Sequence, residues 1–141
     1  MLESFLDHHQ SEELNHDSTS LEAIGACVGS SKDIVEQFLV RRLGISADEL
    51  HFHVGWFQDT VPRSATAIKE IALLRLDGDW YNSTKVCLEG LFDKVVKGGY
   101  VIIDDYGTFQ GCRKAADDFF ASRGIAPGIH SSDSDCVYFR R

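Results

Sequence analysis

Several things missing from this chain narrow its role before any motif is read. No apolar run approaches the roughly 20 residues a membrane-spanning helix needs, and no signal-peptide pattern opens the sequence. There is no surplus of base: 14 Lys and Arg face 22 Asp and Glu, for a formal net charge of -8. That composition offers no basic surface to nucleic acid. The imbalance is local, since residues 1–50 hold ten acids against three bases while the remainder is close to neutral. The four cysteines, Cys27, Cys87, Cys112 and Cys136, form no C-x-x-C pair, which removes the usual zinc and redox spacings. Two of them fall on the apolar stripes of expected helices, so they read as reduced, buried thiols of a cytoplasmic protein. No internal repeat or low-complexity linker divides the 141 residues, and the length suits one domain.

What is present is organised around residues 71–107. The apolar run Ile71-Ala72-Leu73-Leu74-Arg75-Leu76 stops at Asp77-Gly78-Asp79, and a second run, Tyr100-Val101-Ile102-Ile103, stops at Asp104-Asp105-Tyr106-Gly107. A helical segment lies between them, with Leu88, Leu91, Phe92 and Val95 on its buried face and Gly98-Gly99 behind it. Strand, helix, strand in this order is a parallel βαβ unit with a right-handed crossover. Its two strand ends share one edge of the sheet, about 5 Å apart. Asp77, Asp104 and Asp105 are therefore expected to converge where open α/β sheets place their ligands.

The flanking segments are read in the same way. Residues 1–31 are expected to be a poorly defined, lid-like loop; His8, His9 and His16 are metal-ligand candidates there, against the plainer reading of a solvated loop, and the adjacent His8 and His9 lack the spacing of a helical metal pair. A helix is expected over Lys32 to Leu43, opened by a Ser30–Asp33 capping box and closed by Gly44, with Ile34, Val35, Phe38 and Leu39 as its apolar stripe. The alternation from Leu50 to Val54 predicts a strand, and residues 55–62 a turn ended by Pro62. The central helix is expected over Tyr81 to Lys97, with Asn82 or Ser83 as its N-cap. A further helix is expected from Gln110 to Arg123, where Cys112, Ala115, Ala116, Phe119 and Phe120 recur at helical spacing, stopped by Gly124. Gly128–His130 and Cys136–Phe139 read as an antiparallel hairpin.

Three carboxylates at one edge repel one another unless something compensates. A bound divalent cation, a raised pKa on one of them, or a basic partner would each serve. Hard oxygen ligands suit magnesium, calcium or manganese. Asp79 would remain as a spare carboxylate, a general base or a further ligand. The plain alternative is that these acids cap strand ends and helix N-termini.

Four blocks, residues 55–62, 71–84, 98–107 and 111–119, together with the closing Val137-Tyr138-Phe139, resemble the macrocin O-methyltransferase family in order and spacing. The resemblance implies a Rossmann-like class I methyltransferase sheet, mostly parallel with a C-terminal antiparallel hairpin. It implies S-adenosylmethionine as methyl donor, Mg2+ at the site, and a hydroxyl of a sugar or natural product as acceptor. It further implies Asp77, Asp104 and Asp105 as metal ligands, as in the catechol-type methyltransferases. It places Trp56, Phe57 and Gln58 against the cofactor's adenine, with Asp77 beside the cofactor. Asp79 is the candidate catalytic base. Glu3-Ser4-Phe5 resembles the acidic-Ser-Phe stretch that meets the cofactor ribose, which makes Glu3 a cofactor-binding candidate.

The glycine-rich strand-turn that holds the methionine part of the donor in such enzymes has no counterpart before Leu50. The chain is therefore expected to lack the first one or two strands, leaving a sheet ordered 4-5-7-6 with Ile71–Leu76 at an open edge. An open edge invites pairing, so a homo-oligomer, a covering element from residues 1–49 or an incomplete gene is expected. The alternative function is a non-catalytic member that binds a metal, a small ligand or a partner.

Overall fold

The computed structural model describes residues 31–141. Four strands form one sheet: β1 (Ile71–Leu76), β2 (Val95–Ile103), β3 (His130–Ser131) and β4 (Val137–Arg140), in the order β1-β2-β4-β3. This is the expected 4-5-7-6 arrangement. β1 and β2 pair in parallel, while β4 runs antiparallel to both β2 and β3. The helices are α1 (Lys32–Gln37), continuing through a π-helical turn at Phe38–Arg42, then α2 (Phe57–Ala65), α3 (Tyr81–Leu91) and α4 (Gln110–Arg123).

The core lies on one face of the sheet. Leu74 and Leu76 of β1, Val101 and Ile103 of β2, and Val137 and Phe139 of β4 point to it. Leu88 and Phe92 from the central segment and Ala116, Phe119 and Phe120 of α4 close over them. Phe92, Phe119, Phe120 and Phe139 meet mostly edge to face, with centroids 5.1–6.4 Å apart, the arrangement that ring quadrupoles favour. α2 packs on α3 through Val61, whose Cγ1 lies 2.6 Å from where a Cβ on Gly90 would stand. A side chain at Gly90 would force Val61 to shift.

The opposite face is largely uncovered among the described residues. The register aligns Leu73 with Tyr100 and Arg140, and Arg75 with Ile102 and Tyr138. Leu73 is 57% exposed, Tyr100 45% and Tyr138 37%. β1 is the outermost strand, so its outer edge has no strand partner among the described residues.

Several expected elements differ. Leu50–Val54 is not a strand: a 3₁₀ turn at Ala47–Glu49 leads into extended but unpaired backbone, and Val54 is 75% exposed. Alternation makes a strand only where a neighbour completes the ladder, and no described strand lies beside it. The expected turn at 55–62 is the start of α2, which carries Pro62 inside it. Thr60 and Ser64 hydroxyls donate back to the Trp56 and Thr60 carbonyls at 2.9 and 2.8 Å and knit this short helix together.

The central helix stops at Leu91 rather than Lys97. Phe92–Lys94 form a 3₁₀ turn and Val95, fully buried, already pairs with Ile71. Gly98-Gly99 therefore lies inside β2, where the register jumps between Ile71↔Val95 and Leu73↔Tyr100. A Cβ on Gly99 would stand 2.8 Å from the Ala72 carbonyl oxygen. The N-cap of α3 is Trp80 rather than Asn82 or Ser83. α1 is capped by Ser31, which makes no side-chain capping bond. Of its stripe, Ile34 and Phe38 are 60% and 52% exposed, while Val35 and Leu39 are half-buried. α4 ends as expected at Gly124, in the left-handed conformation. Cys87 and Cys112 are buried and free, Cys136 is free and half-buried, and Cys27 lies outside the described residues.

Candidate functional site

The parallel register places Leu76 beside Ile103, so the next residues of both strands emerge together. The Asp104 N–H donates to the Leu76 carbonyl at 2.9 Å and fixes that alignment. As a result Asp77, Asp104 and Asp105 each bring a carboxylate oxygen within 4.8 Å of the others. These are the three acids expected to meet.

Their mutual repulsion is met in two ways. Arg75, two residues before Asp77 and on the uncovered face, donates through Nη1 to Asp77 Oδ2 at 2.5 Å and through Nη2 to Asp104 Oδ2 at 2.7 Å. Asp105 behaves differently. Burial, then the neighbouring charge of Asp79 and a hydrogen bond with it, then the charges of Asp77 and Asp104, push its carboxyl up to about 7. Asp105 Oδ2 is buried and no donor reaches it.

Asp79 itself takes a left-handed backbone, φ 58°, the only non-glycine residue among those described to do so. Ser83 Oγ donates to the Gly78 carbonyl at 2.5 Å and to the Trp80 carbonyl at 3.0 Å, holding the Asp-Gly-Asp turn against the start of α3. The Phe57 ring packs beside the same turn, since a Cβ on Gly78 would sit 3.5 Å from Phe57 Cε2. Phe57 is 41% exposed. Of the expected cofactor contacts, the structure thus brings Phe57 to Asp77-Gly78. Trp56 is half-buried as the N-cap of α2, and Gln58 is exposed in its first turn. Glu3 lies outside the described residues.

Around the acids runs an aromatic and charged rim. Trp80 meets Phe109 edge to face at 5.5 Å. Tyr106 donates to Asp117 Oδ1 at 2.7 Å with Arg113 over its ring. Tyr81 and Lys114 both donate to Asp118 Oδ2, at 2.9 and 2.6 Å. The loop carrying Asp104 and Asp105 is pinned at Gly107, whose N–H donates to the Asp135 carbonyl at 2.7 Å. A Cβ there would meet the Ser134 carbonyl oxygen at 2.1 Å, so only glycine fits.

Comparison with known proteins bears on what this edge is. A model of the macrocin-O-methyltransferase (TylF) family matches residues 5–141. The chain belongs to that family. Curated relatives of this macrocin O-methyltransferase family chain include the 8-demethyl-8-(2,3-dimethoxy-alpha-L-rhamnosyl)-tetracenomycin-C 4'-O-methyltransferase of Streptomyces olivaceus, 41% identical over 70% of this chain and 37% of the relative. The demethyldecarbamoylnovobiocin O-methyltransferase of Streptomyces niveus is 41% identical over 72% of this chain and 38% of its own length. The mycinamicin III 3''-O-methyltransferase of Micromonospora griseorubida is 37% identical, with 71% and 38% covered. The chain thus spans less than two-fifths of the length of these curated relatives. Among solved structures, the O-methyltransferase NovP superposes with a TM-score of 0.77 at 36% identity, over 86% of this chain and 49% of that one. The calicheamicin methyltransferase CalS11 gives 0.54 at 25% identity, over 61% and 35%. The Rossmann-like methyltransferase fold expected for the family chain is therefore the observed one.

Two features of the site escaped the sequence reading. Arg75 was legible only as a charge interrupting an apolar run. Its position two residues before Asp77, on the same strand face, was the available signal. Cys136, in the turn before β4, lies against Asp104: burial first, then the charge and hydrogen bonding of Asp104, raise its thiol pKa. Nothing in the local sequence announces that contact.

Proposed function

We propose that this chain is a metal-dependent O-methyltransferase, or the C-terminal catalytic part of one, that transfers methyl from S-adenosylmethionine to a hydroxyl of a sugar or natural product. The observation that carries the reading is the meeting of three carboxylates at the ends of two parallel strands, with a buried Asp105 oxygen that no donor satisfies. An oxygen-rich, partly buried, anionic cluster suits a hard divalent cation such as Mg2+. Asp77, Asp104 and Asp105 would hold it. Such a cation supplies Lewis acidity that lowers the pKa of an acceptor hydroxyl. The relatives' names, each an O-methyltransferase of a natural product, support the acceptor class.

Asp79 takes the hydroxyl proton in this reading, since it stands two residues beyond Asp77 and its charge acts on Asp105. S-Adenosylmethionine supplies a methyl group on a sulfonium. The half-exposed ring of Phe57 beside Asp77-Gly78 offers a flat apolar wall for its adenine, flanked by Trp56 and Gln58. Glu3 would meet the ribose hydroxyls. The outer edge of β1, beside the uncovered face with Leu73 and Tyr100, supports self-association through a second copy.

Separate calorimetric titrations with Mg2+ and with S-adenosylmethionine test the reading. Binding of both is expected. Magnesium binding without donor binding would instead favour a non-catalytic metal-binding member of the family, and absence of both would overturn the site assignment.

A further inference from the structure

Arg75 is the one basic group hydrogen-bonded to the acidic cluster among the described residues. It bridges the ends of two strands, taking one oxygen from Asp77 and one from Asp104. Its side chain is 49% exposed, and it stands on the uncovered face of β1, opposite the core residues Leu74 and Leu76. A guanidinium fork is matched to two carboxylate oxygens, and with half of its side chain exposed the fork has room to move into solvent. Both of its partners are proposed ligands of a divalent cation.

We propose that Arg75 is a built-in counter-cation that competes with the divalent ion for Asp77 and Asp104. This rests on the metal reading above and adds a role for Arg75 to it. In the metal-free chain the guanidinium draws the two strand-end carboxylates together. When the ion binds, Arg75 gives up that grip while its charge stays beside the site. The competition arises from charge as well as from occupied oxygens. A single positive charge about 5 Å from a doubly charged ion weakens its binding roughly five- to fifteen-fold, depending on screening. The site thereby stays assembled at low metal concentration, at the expense of affinity.

The test is Mn2+ binding to the full chain, followed by the loss of free-ion electron paramagnetic resonance signal, in the wild type, Arg75→Gln and Arg75→Lys. Arg75→Gln is expected to bind five- to fifteen-fold more tightly, and Arg75→Lys to remain within about threefold of the wild type because it keeps the charge. Wild-type binding with an unchanged or weaker Arg75→Gln would overturn the competition while leaving the metal site standing. So would an Arg75→Lys that gains as much as Arg75→Gln. No Mn2+ binding by any of the three would overturn both the proposal and the metal reading. If Arg75→Gln fails to fold, the wild type still decides through its Arg75 side-chain N–H resonances during Mg2+ titration. They are expected to lose protection as the ion binds, and protection that survives saturation would overturn the proposal.

Discussion

Removing the charge of Asp105 should stabilise the metal-free protein, and the size of the effect follows from the site. The Asp105 carboxyl is pushed from an ordinary 3.8 up to about 7, by burial first and then by Asp79, Asp77 and Asp104. Ionising it in the folded chain would cost roughly 4 kcal/mol more than in the unfolded chain if the group were fully shielded. The residue is only partly buried, so water screens much of that, leaving about 2 kcal/mol. Because the folded-state value is the higher one, the favourable contribution is complete below about pH 4. It is lost progressively as pH rises to about 7. Asp105→Asn cannot ionise and should not show this loss. Urea unfolding monitored by circular dichroism, with a chelator present and at several values between pH 4.5 and 8, gives the difference between the two proteins and cancels the other acids. The variant should gain about 2 kcal/mol relative to wild type across that range. A flat difference, or a variant that is the less stable protein at pH 8, would refute the electrostatic account of Asp105.

Other outcomes follow from the geometry. Gly107→Ala places a methyl group against the Ser134 carbonyl and should cost about 2–3 kcal/mol of stability in chemical denaturation. Leu73→Lys puts a charge on the edge strand of the uncovered sheet face and should shift the protein toward monomer in light scattering behind size-exclusion chromatography. Asp79→Asn should keep Mg2+ affinity within a few-fold by calorimetry while lowering methyl transfer by at least about 100-fold. An equal loss of both would make Asp79 a ligand instead of a base.

Much of the fold was legible because its central unit obeys simple rules. Two apolar runs that stop at aspartate became β1 and the second half of β2, and the five-residue stripe of α4 is buried as its spacing required. The convergence of Asp77, Asp104 and Asp105 was legible because both parallel strands end in aspartate. What escaped depends on contacts distant in sequence. Val95 sits on a helical stripe in the sequence, but its pairing with Ile71 draws it into a strand. Leu50–Val54 has the alternation of a strand and no described neighbour to make it one. Arg75 and Cys136 join the site through pairings across 29 and 32 positions with Asp104, which no local pattern encodes.

The bond from the Asp104 N–H to the Leu76 carbonyl makes strand register the ruler of the site. A slip of β1 along β2 by two residues would leave the inward and outward faces unchanged, so the core would still present apolar side chains to apolar side chains. Yet it would carry Asp77 away from Asp104 by roughly 6–7 Å, beyond the reach of any one ion or guanidinium. Hydrophobic pattern therefore cannot by itself select the productive alignment. The irregularity at Gly98-Gly99, where the Ala72 carbonyl leaves no room for a side chain, marks the observed alignment with a close backbone contact. Those two glycines, far from any reacting atom, thus lie in the stretch whose register sets the spacing of the carboxylates.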